Sequence, residues 1–252
     1  MKTQDIAVIG ICAALYAIVG RLTAGVTFLG VGFLPAVVIP AVFAKLYGPW
    51  VGGISGAVGI FIRDLLVHGN AALSLAAGVP PNFILFFLIG YIAHRNIDLK
   101  QAIAGVIVAA VGLLVPVIVF LPDFVSTLGL SADFLLLIST IAIIPTLVII
   151  AVVAIRWKEW RSYATSAVIG LAAGAGLLSV TVYAVSPLFL SYFGEPYGAT
   201  TIFPLFVWTF VTELPFILLA GPPIIKACYK AFPNLKFKTR TEKKGGPIDQ
   251  DR

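Results

Sequence analysis

The sequence predicts an all-α polytopic membrane protein with about eight transmembrane helices. Hydrophobic residues make up 60% of the 252-residue chain and charged residues only 11%, whereas a water-soluble domain carries about 25% charged residues. The apolar residues are grouped into long runs, and Lys and Arg are concentrated between alternate runs. Because a soluble core could not bury this much apolar side chain, lipid is the expected solvent.

Eight apolar runs are candidates for membrane-spanning helices. A span needs about 20 apolar residues, or about 17 at the short end. The second and fourth runs are short, so we expect them to tilt against their neighbours, or one of them to be re-entrant. The predicted spans are residues 5–22, 33–46, 50–67, 80–94, 101–121, 133–155, 163–186 and 203–229.

The distribution of basic residues predicts the orientation. With Lys2 inside, the four outer segments, 23–32, 68–79, 122–132 and 187–202, contain no Lys or Arg. The exceptions, Arg21 and Arg63, lie at the outer ends of the first and third spans. Because cytoplasmic loops carry an excess of Lys and Arg, we expect a multi-pass protein of the cell membrane with both termini in the cytoplasm.

The net charge of +6 comes from the inner loops and the tail. This pattern orients a membrane protein and gives no indication of nucleic-acid binding. We expect residues 1–231 to form the transmembrane domain. Residues 232–252 form a Lys-rich tail that we expect to be disordered and able to contact anionic lipid.

Arg63 and Asp64 lie in an apolar helix about one turn from its outer end. An ionised group in a span costs roughly 2.5–3.5 kcal/mol at the bilayer centre, and less near the interface. Such residues are kept because they pair with a neighbour or bind a ligand. Two interpretations remain open: the pair stabilises the helix end, or it lines an outward-facing polar cavity.

Glu213 lies near the middle of the last span, two residues before Pro215. Proline removes a backbone hydrogen bond and loosens the helix there. A carboxylate at this depth beside such a position suits a solute or proton site. The alternative is a structural partner for Arg63 or Arg21. If the solute carries an anionic group, Arg21 is the candidate to clamp it.

Polar residues near the outer face complete the predicted solute site. His68, Asn70 and Asn82 supply an imidazole and two amides, which suit hydrogen bonding to a small heterocyclic solute. We therefore predict that these three residues bind the solute together with Arg63 and Asp64. Glu213 is expected to lie deeper, and Arg21 near the entrance.

The sequence gives no indication of catalysis, a metal site or a cofactor. Ser55 lies in a Gly-x-Ser-Gly pattern, but neither His68 nor His94 is placed to activate it as a nucleophile. The glycines at 48, 52, 56 and 59 recur at helical spacing and are better explained as a packing face. A phosphate-binding loop and a metal-binding His-Glu-x-x-His are both lacking, so energy must come from a gradient or a partner.

Four segments in the N-terminal part of the chain carry a family resemblance. They are Ala-Ala-Leu-Tyr-Ala at 13–17, Gly-Phe-Leu-Pro at 32–35, Ile-Pro at 39–40 and Leu-Tyr-Gly-Pro-Trp-Val-Gly-Gly at 46–53. The last leads to Gly56, Gly59 and Asp64. Together they resemble the substrate-binding S component of an energy-coupling factor (ECF) transporter, although members of that family typically have six spans.

The resemblance implies a helical bundle that captures a vitamin-like micronutrient from the outer face. It also implies partners, namely a transmembrane coupling subunit and two ATPase subunits that drive uptake. Ala13 and Ala17 would dock on the coupling subunit, and the segment 23–32 would act as a lid. Two alternatives stay open: a self-sufficient proton-coupled secondary transporter, and a membrane scaffold subunit that transports nothing.

Overall fold

The computed structural model describes residues 2–119, 121–122, 125 and 131–235. The basic tail from residue 236 and most of the predicted outer segment 122–132 lie outside the described residues. The chain within this part is almost entirely helical. Its main helices are α1 (Thr3–Leu22), α2 (Pro35–Tyr47), α3 (Pro49–His68), α4 (Ala71–Ala93), α5 (Leu99–Val119), α6 (Ala132–Arg156), α7 (Lys158–Leu188) and α8 (Ala199–Ala231).

Seven of these helices are long and apolar enough to cross a membrane. They match seven of the eight predicted spans, and the fold is the predicted all-α polytopic one. The second predicted span corresponds to α2, whose α-helical part has only 10 residues. That length is below the roughly 17 residues of a full crossing helix. The segment nevertheless connects opposite ends of the bundle, because Ala36 lies near Gly20 at the end of α1 and Gly48 lies near Gly90 at the end of α4.

The fourth helix begins earlier than predicted. Residues 68–79 were expected to form an outer loop, but α4 starts at Ala71 and includes a π-helical segment, Ser74–Gly78. Asn70 caps the new start by accepting a hydrogen bond from the Leu73 amide at 3.0 Å. The prediction failed because the prolines at 80 and 81 suggested a helix start, whereas the helix accommodates them after a π turn.

Small residues on α3 allow its neighbours to approach closely. Gly52 faces Ala44 of α2, Gly56 faces Phe86 of α4, and a Cβ at Gly59 would lie 2.7 Å from the Tyr16 ring of α1. The predicted glycine packing face is therefore confirmed at these three positions. Gly48 instead forms the turn between α2 and α3 at φ 99°. Lipid gives helices little hydrophobic drive to associate, so such close contacts hold the bundle together.

The centre of the bundle is formed by α3, α4 and α7. On α7, Gly170 and Gly174 lie against Leu85 and Ile89 of α4, while α8 packs against α7 and α2. In the most apolar stretch of α3, half of the residues are buried. In the corresponding stretch of α5, only 18% are buried. The pair α5 and α6 is thus peripheral, and polar residues of α3, α4 and α8 lie in the interior.

The segment after α1 forms a small β-hairpin. Strand β1 (Thr27–Phe28) pairs antiparallel with β2 (Val31–Gly32), and the two turn residues have φ 48° and 74°, as a tight hairpin turn requires. The Trp208 indole of α8 donates a hydrogen bond to the Val31 carbonyl at 3.1 Å. The hairpin therefore rests on α8 at one end of the bundle.

Candidate solute-binding cavity

A cavity of about 90 Å³ lies at the end of the bundle that the β-hairpin covers. Its walls come from the hairpin, α3, α4, α7, α8 and a short helix, Leu190–Phe193, between α7 and α8. Apolar side chains form most of the wall. The polar side chains that line it are Arg63, Asp64, His68, Asn82, Tyr192 and Glu213.

Arg63 and Asp64 form a buried ion pair that lines this cavity. Arg63 Nη1 lies 3.0 Å from Asp64 Oδ1, and the two residues are 7% and 6% exposed. The other carboxylate oxygen of Asp64 accepts a hydrogen bond from Ser74 Oγ at 2.8 Å. The two interpretations of this pair from the sequence therefore hold together, because the residues pair with each other and also line the cavity.

Two glycines make room for this pair. A Cβ at Gly32 would lie 2.7 Å from Arg63 Nη2, and a Cβ at Gly78 would lie 2.6 Å from Asp64 Oδ2. The hairpin and the π-helical segment therefore approach the charged groups through their backbones. Arg63 Nε is buried without a hydrogen-bond partner, which leaves one donor of the guanidinium unused.

Glu213 reaches the cavity from α8, on a different wall. It is only 5% exposed, and it makes no hydrogen bond or ion pair with any other residue that the structure describes. The suggested structural pairing with Arg63 or Arg21 is therefore not formed. Helix α8 continues through Pro215, so Glu213 is held on a continuous helix.

Asn82 is held in place by a residue that the sequence reasoning missed. Its carbonyl oxygen accepts a hydrogen bond from the Tyr16 hydroxyl at 2.8 Å, and its amide donates to the Gly78 carbonyl at 2.9 Å. Tyr16 is fully buried. The sequence did contain a signal for this contact: Tyr16 lies in the middle of an apolar helix, and a buried hydroxyl needs a hydrogen-bond partner.

His68 lies at the mouth of the cavity. Its Nε2 is 3.9 Å from Asp64 Oδ1, and its ring lies 5.1 Å from that of Tyr192. The Tyr192 hydroxyl donates to the Gly30 carbonyl of the hairpin at 2.9 Å. Burial raises the pKa of Tyr192, so the hydroxyl keeps the proton that this bond needs. Tyr192 thus joins the hairpin to the short helix over the cavity.

Two predicted solute contacts lie outside the cavity lining. Arg21 is exposed, and its Nε donates to the Leu66 carbonyl at 3.1 Å, so its predicted role as a clamp for an anionic group has no support from the cavity lining. Asn70 uses its side chain to cap the start of α4. Both residues satisfy backbone groups at helix ends, a local role that the sequence pattern does not separate from ligand binding.

The predicted docking residues of α1 face inward. Ala13 and Ala17 are 2% and 1% exposed, and a Cβ at Gly59 of α3 would lie 3.0 Å from the Ala13 carbonyl oxygen. In this structure α3 covers these two alanines, and their docking role stays a prediction. Their small size serves the close contact between α1 and α3.

Comparisons with known proteins found a family that is similar to about the N-terminal half of the chain. Residues 4–127 match the family described as ECF transporter, substrate-specific component. A UPF0397 protein of Aliivibrio salmonicida is 30% identical over 118 residues, which cover 44% of this chain and 64% of that protein. No solved structure matches the chain.

The matched region contributes the hairpin, α3 and the start of α4 to the cavity, whereas α7, the short helix and α8 lie beyond it. Its family consists of transporter components and not enzymes, in agreement with the sequence prediction. The multi-pass helical bundle fits such a component. Over residues 4–127, slightly less than half of its length, this chain is similar to the substrate-specific components of ECF transporters.

Proposed function

We propose that this protein is the solute-binding subunit of an ECF-type importer in the cell membrane. It captures a small, vitamin-like micronutrient from the outer face. A transmembrane coupling subunit and two ATPase subunits then drive uptake. The observation that carries the proposal is a buried cavity lined by charged and amide groups at one end of a membrane bundle, in a chain whose residues 4–127 match the family of substrate-specific components.

The size of the cavity requires its cover to move. At about 90 Å³ it is smaller than the roughly 300–1,000 Å³ of sites for drug-sized ligands. The cover consists of the β-hairpin and the short helix Leu190–Phe193, joined by the bond from Tyr192 to Gly30. Displacing these two elements widens the cavity, so the hairpin is suited to the lid role that the resemblance implies.

The orientation belongs to the same proposal. The cavity lies where α3 ends and α4 begins, whereas Arg95 and Lys100 flank the connection at the opposite end of α4. Since cytoplasmic loops are rich in Lys and Arg, the cavity faces outward and both termini lie inside. A cysteine introduced at Asn96 should resist a membrane-impermeant thiol reagent in intact cells, and labelling there would place the cavity on the wrong side.

The decisive test has two parts. Native mass spectrometry of the protein purified from its own host should show a retained small molecule. Uptake of that molecule by vesicles should require ATP and the partner ATPases, and it should persist when an uncoupler collapses the proton gradient. A protein that retains no solute and copurifies only with partners would instead be a scaffold subunit.

A secondary transporter is the second candidate, and Glu213 is the observation that favours it. A buried carboxyl group without a partner in the described structure is a suitable proton carrier. Uptake by the protein alone that stops with an uncoupler and with Glu213→Gln would support this candidate against the ECF importer.

A further inference from the structure

We propose that the cavity selects a small organic cation, such as an amine, an amidine or a protonated nitrogen heterocycle, whose N–H groups donate to Glu213. This inference rests on the proposed capture of a solute and adds its chemical class. It is carried by a mismatch in the cavity, where one guanidinium faces two carboxylates.

The two charges on α3 balance each other. Arg63 lies 3.0 Å from Asp64, so each of these groups already has its counter-ion. Glu213 has no cation within 4.0 Å among the described residues. Burying a carboxylate without a partner is costly, and a cationic solute would remove that cost when it binds.

The rest of the described cavity lining places no cation beside Glu213. Apart from Arg63, the only basic residue of the lining is His68. Its Nε2 is directed toward Asp64, and its ring lies against Tyr192 at the mouth. Arg21 is outside the lining and bonded to a backbone carbonyl. A cationic solute would supply the positive charge that no side chain of the described lining brings to Glu213.

The apolar part of the cavity lining can accommodate the body of the solute. Leu34, Ile60, Leu178, Val182 and Phe193 give the cavity apolar walls, which suit a flat or apolar body. Arg63 Nε is a buried donor without a partner and can serve one acceptor atom of the solute. A carboxylate or phosphate would instead lie beside both Asp64 and Glu213, and like charges at short range repel.

Three isosteric probes test the inference. Benzamidinium, benzamide and benzoate share one ring and nearly one shape but carry charges of +1, 0 and −1. Their effect on the melting temperature of the full-length protein in detergent is compared for wild type, Glu213→Gln and Glu195→Gln. Glu195 is an exposed carboxylate outside the cavity, so Glu195→Gln makes the same chemical change away from the site.

Benzamidinium should raise the melting temperature in a saturable way, benzamide should do so less, and benzoate should have no effect. The apparent Kd of benzamidinium should weaken about tenfold or more in Glu213→Gln, since a hydrogen bond to a charged group contributes about 1.5–3 kcal/mol. The Glu195→Gln variant should bind like wild type.

Several results would overturn the inference. They are stabilisation by benzoate equal to that by benzamidinium, binding of benzamidinium that is unchanged in Glu213→Gln, or no effect of any probe. The proposed function fails separately. An anionic solute retained by the purified protein would refute the charge selectivity and still support solute capture, whereas a protein that retains no solute would refute the capture itself.

Discussion

The two walls of the cavity each carry a buried carboxylate, and only one of the two has a partner among the described residues. On α3, Asp64 is paired with Arg63 and accepts a second hydrogen bond from Ser74. On α8, Glu213 is equally buried but makes no hydrogen bond or ion pair with another described residue. The buried charges on the wall inside the matched family region therefore balance each other, and the buried carboxylate on the wall beyond it has no described counter-ion.

This difference indicates two roles for buried charge in one site. A buried ion pair holds its surroundings in place, because removing either partner leaves an uncompensated charge. A carboxylate without a partner stabilises little in the empty protein and is available to a ligand. We infer that α3 shapes the cavity and that α8 selects what enters it.

The largest effect is expected from Asp64→Asn. This change keeps the shape of the side chain but leaves the Arg63 guanidinium buried without a counter-ion, which costs about 3–5 kcal/mol. The free energy of unfolding in detergent, measured by chemical denaturation, should fall by that amount. Combining it with Arg63→Gln should recover part of the loss, and additive losses in the double variant would show that the two groups are not coupled.

A smaller effect is expected from Gly78→Ala. The new methyl group would lie 2.6 Å from Asp64 Oδ2 and 3.2 Å from Ser74 Oγ, and such overpacking costs about 1–3 kcal/mol. Gly105→Ala on α5 is the matched control, because a Cβ there meets no atom within 4 Å. Equal unfolding free energies for the two variants would show that the Gly78 contact does not constrain Asp64.

The smallest effect on stability is expected from Glu213→Gln in the absence of solute. Since the carboxylate has no partner to lose, the free energy of unfolding should stay within about 0.5 kcal/mol of wild type or rise. The same denaturation experiment measures it. A loss as large as that of Asp64→Asn would show that Glu213 is paired in the folded protein, and the contrast between the two walls would disappear.

The sequence allowed the membrane class, seven of the spans and the close-packing glycines of α3 to be predicted. Five of the residues predicted to bind the solute line one cavity, namely Arg63, Asp64, His68, Asn82 and Glu213, and their role in binding stays a prediction. The sequence drew attention to them because charged and amide groups are rare in apolar helices and are costly unless they are used.

Other features depended on contacts between distant parts of the chain. The Tyr16 bond to Asn82 spans 66 positions, and the Tyr192 bond to the hairpin spans 162. Arg21 and Asn70 have the same chemistry as the cavity residues but bind backbone groups outside it. Ala13 and Ala17 form a small-residue stripe that fits a partner surface as well as an internal one.

The sequence by itself determined which side chains carry a free-energy cost inside a bilayer, because that cost depends on residue type and depth. Only the tertiary structure decided which of them meet. Packing of α4 against α3 placed Ser74 Oγ 2.8 Å from Asp64, whereas Glu213 on α8 has no partner among the described residues. A buried charge is satisfied by whichever atoms lie within hydrogen-bonding distance, and apart from immediate chain neighbours such as Arg63 and Asp64 these are set by the packing of the helices.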